Sequence, residues 1–132
     1  MLNRKPEADY FKMLKEQGLG FVAFSPLAQG LLTNRYLNGI PADSRIAKSG
    51  VFLHREDVTP ELVGKLRLLD AMATGRGQSL AQMSLSWLLA KDGVTSVIVG
   101  ASSVGQLRDN LKCLDHGGFT PDELAGIDAV IG

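Results

Sequence analysis

Apolar positions along the chain follow two periods, and each switch between them marks an element boundary. From Glu7 to Gln17, Ala8, Phe11, Leu14 and Lys15 fall on one helical face, and Gly18 supplies the usual C-terminal stop. Gly18 to Phe24 is a continuous apolar run ending at Ser25-Pro26, which predicts a short buried strand closed by a turn. Residues 25 to 58 are rich in Gly, Pro, Asn, Asp and Ser and predict a long connection, with a short helical turn around Leu31 to Leu37. A connection of that length in a compact domain usually carries function.

Thr59-Pro60-Glu61 then opens a helix whose buried stripe is Leu62, Leu66, Leu69 and Met72. A second helix runs from a capping box at Ser79 to Gln82, with Met83, Trp87 and Leu88 at core spacing up to Ala90. Asp92-Gly93 ends it, and Val94 to Gly100 is the second apolar strand. A helix from Val104 to Leu114 follows, with a second capping box from Ser103 to Gln106. Thr120-Pro121-Asp122-Glu123 caps a last helix presenting Leu124, Ile127 and Ile131.

This alternation predicts an α/β fold, and strands so apolar on both faces predict a parallel sheet covered by helices. Two strands cannot make such a sheet, so the open edges must pair with further chain or with another copy. The chain reads as a portion of something larger, a single partial domain over residues 1–132.

Composition narrows the function classes. The 132 residues are 45% hydrophobic and 21% charged, as in an ordinary globular protein. Fourteen basic residues balance fourteen acidic ones with no cluster of Lys and Arg among aromatics, which disfavours nucleic acid as a partner. The single cysteine, Cys113, cannot form an internal disulfide. With no signal-like or bilayer-length apolar run, the expected location is the cytoplasm, away from membranes. No His, Cys and carboxylate grouping has metal-ligand spacing.

Two segments carry candidate chemistry, each where a strand's C-terminal end meets its loop, the edge at which α/β barrels place ligands. In Ser25-Pro26-Leu27-Ala28-Gln29-Gly30-Leu31-Leu32, proline and glycine constrain the backbone so that amide N–H groups could face a phosphate. In Gly100-Ala101-Ser102-Ser103 a helix N-terminus presents unpaired donors. A structural turn explains the first segment somewhat better than a ligand does, and a plain serine-capped turn explains the second equally well. Neither segment is a GxGxxG or P-loop motif, so local chemistry stops at phosphate.

FVAFSPLAQGLLTNRYL together with VTSVIVGASSVGQLRDNL resembles the C-terminal third to half of an aldo/keto reductase. The resemblance is strongest to the branch holding potassium-channel β subunits and bacterial aldehyde reductases. It implies the C-terminal portion of a (β/α)8 TIM-type barrel, about strands seven and eight with their helices, that binds NADPH at its C-terminal mouth. Position by position, it implies that Ser25, Pro26, Leu27 and Gly30 wrap the pyrophosphate. Arg35 stands where the family commonly has a lysine, and as a planar fork it would make a different contact. Arg45 matches an arginine at the adenosine 2′-phosphate, where forked bonds favour NADPH over NADH. Gly100 and Ser102 match the second phosphate turn. Gln106, Asp109 and Asn110 match helix residues at the adenine and its ribose, Asp109 replacing a common glutamate.

The family's catalytic aspartate, tyrosine, lysine and histidine come from the first half of its barrel and have no counterpart here, so the expected catalytic set is empty. Met1 aligns with an internal position of the family, which reads equally as a shortened frame, an alternative start or a truncated chain. Tyr10, Tyr36, His54 and His116 are expected at the surface, Trp87, Met72 and Met83 in the core, and Cys113 as buried filler. Two functions follow from the resemblance: an oxidoreductase segment gripping NADPH for reduction of small aldehydes or ketones, inactive alone, or a non-catalytic regulatory half-barrel acting through protein association, self-association by open strand edges included.

Overall fold

A computed structural model describes residues 1–42, 44, 46 and 53–132. Its core is built by helices. α3 (Pro60–Gly75), α4 (Leu80–Leu89) and α6 (Pro121–Ile131) enclose Leu66, Leu69, Ala73, Leu80, Met83, Trp87 and Ile127. Every residue from Leu80 to Trp87 is buried, as expected for a helix apolar nearly all round. Within that run Ser86 Oγ donates to the Cys113 carbonyl at 2.7 Å and accepts from Gln78 Nε2 at 3.0 Å, while Trp87 Nε1 has no acceptor among the described residues. Met83 and Trp87 are core residues as read, and Met72 is packed against them half-buried.

The first helix is broken in two, α1 (Lys5–Ala8) and α2 (Tyr10–Glu16), because Asp9 at φ −124° leaves the helical region. The long connection holds two 3-10 turns, Ala28–Gly30 and Asn34–Tyr36, where one turn was expected, and a third at Arg55–Asp57. Tyr36 is not at the surface: with Leu31, Ile46 and Leu53 it forms a second small core, 1% exposed. Arg67 Nε and Nη2 both donate to the Leu37 carbonyl, fastening this connection to α3.

β1 (Phe21–Phe24) and β2 (Val94–Ile98) pair in parallel, joined through α3 and α4. Residues 18–20, 99 and 100, read as strand, lie outside the ladder. The register is Val22 to Ser96, Ala23 to Val97 and Phe24 to Ile98, with one irregularity beside Phe21. The expectation that both strand faces are buried fails. Val22, Phe24 and Ile98 are 51%, 80% and 61% exposed, since no third strand or helix among the described residues covers that face. α5 (Val104–Leu111) and the 3-10 turn Lys112–Leu114 divide the helix predicted over Val104 to Leu114, and Val104, Leu107, Leu111 and Leu114 stand exposed along it. Among the described residues no helix is long and apolar enough to cross a membrane.

Candidate functional site

The ladder ends at Phe24 opposite Ile98, so the two loops that leave it start side by side. After β1 the backbone turns sharply: Ser25, Ala28 and Gln29 take φ values of 48°, 48° and 60°, and Gly30 takes 97°. Left-handed backbone costs about 1 kcal/mol or more per non-glycine residue and clusters where a protein holds a functional shape. Thr33 closes the turn from both sides, donating Oγ1 to the Gly30 carbonyl at 2.6 Å and accepting from the Arg35 amide at 3.2 Å.

The second loop runs into α5. Ser103 caps this helix by accepting from the Gln106 amide at 3.1 Å. Gln106 does not complete the expected box with Ser103. Its Oε1 turns to Ser102 instead, accepting from the backbone N at 2.7 Å and from Oγ at 3.0 Å. A Cβ added to Gly100 would meet nothing within 4 Å, leaving room for an approaching group.

Between the loops lies an open cavity of about 500 Å³. Seven of the expected residues line it: Ser25, Pro26, Leu27, Gly30 and Arg35 from the first loop, Gly100 and Gln106 from the second. Ser102 joins it through Gln106. Phe24 and Ile98 contribute an apolar floor, and Arg35 a permanent positive charge. Asp109 and Asn110 lie one turn further along α5, outside the lining. Asp109 Oδ1 accepts from Gln82 Nε2 at 2.9 Å, and Asn110 is 4% exposed with no acceptor for Nδ2 among the described residues. Arg45 lies outside the described residues.

Sequence reasoning missed Tyr36, Thr33 and Asn34 as cavity-wall residues. The four-residue spacing of Leu32 and Tyr36 was the available signal for a buried tyrosine. Tyr36 packs under the turn, its Cε2 lying 3.6 Å from where a Gly30 Cβ would be. His54 is exposed and His116 half-buried. Burial, aided by Asp115, pushes the Cys113 thiol up, which keeps it protonated and inert.

Arranged this way, the site can present backbone donors, one cation and an apolar shelf to an extended anionic ligand. Known proteins share the arrangement's sequence and shape. L-glyceraldehyde 3-phosphate reductase of Escherichia coli K12 is 51% identical over 120 residues, covering 87% of this chain and 34% of its own. A probable voltage-gated potassium channel subunit beta of Oryza sativa subsp. japonica is 36% identical, covering 96% and 40%. The holo form of an aldo-keto reductase from Bacillus halodurans superposes with a TM-score of 0.66 at 27% identity, covering 98% and 39%. The chain thus spans about a third to two-fifths of these relatives' length. With the family-wide pattern of the Aldo/keto reductase family matching residues 1–131, end to end through both loops, the chain belongs to that family.

Proposed function

We propose that this chain grips NADPH as the cofactor-binding end of an aldo/keto reductase, corresponding to about strands seven and eight of a (β/α)8 barrel. The observation that carries the reading is the convergence of both glycine-containing loops on one cavity at the C-terminal end of the paired strands. The residues fit the group: strained backbone amides and Gly30 for a pyrophosphate, Arg35 for charge, open space at Gly100 for close approach, and an unspent amide donor on Asn110. Bound NADPH supplies the hydride that reduces a small aldehyde or ketone. This chain's residues hold and orient it, Arg45 taking the 2′-phosphate, while the proton-donating set lies elsewhere in the intact enzyme.

Calorimetric titration of the 132-residue chain with NADPH and NADH, with carbonyl reduction assayed on the same sample, tests this. Saturable binding that favours NADPH, without turnover, is the expected result. Absence of binding overturns the reading, and turnover overturns the claim that the chemistry lies elsewhere.

One observation favours a second role in protein association: the bare face of Val22, Phe24 and Ile98 is too apolar to stay in water. Size-exclusion chromatography at increasing concentration decides it, a constant monomer volume excluding self-association.

A further inference from the structure

The side chain that spans α4 and α5 is Gln82, 6% exposed and engaged at both ends. Its Oε1 accepts from the Ser79 amide at 3.0 Å, completing the cap of α4. Its Nε2 donates to Asp109 twice, to the backbone carbonyl at 3.1 Å and to carboxylate Oδ1 at 2.9 Å. Asp109 keeps a half-exposed side chain, with Lys112 at 3.7 Å from the same Oδ1. Gln106, Asp109 and Asn110 are three and four residues apart, on one face of α5, and Gln106 is a wall of the cavity. A ligand whose phosphate rests at Gly100 and whose remainder follows α5 past Gln106 meets Asp109 about one helical turn, roughly 5 Å, beyond Gln106.

We propose that Gln82 is a positioning residue for nucleotide binding: by taking one oxygen of Asp109 it fixes the carboxylate's rotation and leaves the other oxygen to accept from the adenosine end of the bound dinucleotide. This rests on the NADPH reading above. A glutamine is suited to the task because one amide group must accept at the cap and donate to a carboxylate. Burial makes the donated bond difficult to replace with water.

Gln82→Glu separates the two ends. Glutamate keeps the acceptor for Ser79 and sets a second carboxylate against Asp109. The expected result is a lowered melting temperature, NADPH affinity lowered about tenfold where the variant is folded, and unchanged affinity for inorganic pyrophosphate under the same conditions, which the two loops hold without α5's second turn. Adding Asp109→Asn to Gln82→Glu restores a donor and acceptor pair in reverse and should recover most of the loss, which a purely structural defect would not allow. Unchanged NADPH affinity in Gln82→Glu overturns the inference alone, as does equal loss of NADPH and pyrophosphate or failure of the double variant to recover. A parent chain that does not bind NADPH overturns the underlying reading and this inference with it.

Discussion

Gly20 lies where an added side chain would force Thr95 to move. A Cβ there would lie 2.2 Å from Thr95 Oγ1 and 3.1 Å from Thr95 Cβ, where the irregular register turns Thr95 toward the incoming strand. Gly20→Ala should therefore lower stability by about 1–3 kcal/mol in urea unfolding, and adding Thr95→Gly should return part of the loss. Arg76 is constrained by contact on several sides. Its Nε donates to Gln78, its Nη2 approaches the Gly117 and Gly118 carbonyls, it pairs with Glu123, and its guanidinium lies 3.9 Å from the Phe119 ring centroid. Lysine cannot reproduce a fork stacked on a ring, so Arg76→Lys should cost about 2 kcal/mol by the same assay. Neither role was legible locally. Gly20 reads as one letter of an apolar run, and Arg76 sits between two glycines that announce only a helix end.

Helix starts were the most legible elements, because a cap is a local event. Thr59, Ser79, Ser103 and Thr120 each accept from a backbone amide three residues on, as the sequence indicated. Ser79→Ala should lower stability by about 1 kcal/mol, read from thermal unfolding. The break at Asp9 was not legible, because what holds α1 is distant in sequence. Glu7 is gripped by Nε and Nη2 of Arg4, each at 2.8 Å, and by Lys91 at 3.1 Å, while Nη1 of Arg4 reaches Asp128 on α6. Burial raises the Glu7 carboxyl's affinity for protons, but these two cations outweigh it and hold it below its ordinary value of 4.5. A carboxyl depressed on folding contributes stability that is present above its unfolded value and lost as pH falls through its folded one. Acid unfolding should show that loss setting in below about pH 4.5, and Glu7→Gln should flatten it.

At the scale of the molecule, the α/β order, the parallel pairing and the meeting of the two loops followed from period and turn chemistry. The bare strands did not, because an apolar run states what a strand needs covered and not whether the cover is present. Glycine and proline mark the two turns individually, but the cavity residues themselves, Arg35 and Gln106 above all, came from the family resemblance, and Tyr36 was missed because burial of a loop tyrosine depends on everything around it. Replacing both Phe24 and Ile98 by serine should reduce self-association in analytical ultracentrifugation, since these two form the apolar floor and a bare strand face at once. The geometry of that association is already written in the sheet. Among the described residues its two edges are unpaired and unlike, one on β1 and one on β2, and the strands run the same way. Joining one copy's β2 to the next copy's β1 is a head-to-tail step that leaves an identical vacant edge behind it, so addition ends only when the ring closes. Were the 132-residue chain to associate by itself in this way, four copies would supply the eight strands of a closed barrel, and a rotation that closes no ring would give an open polymer that grows with concentration.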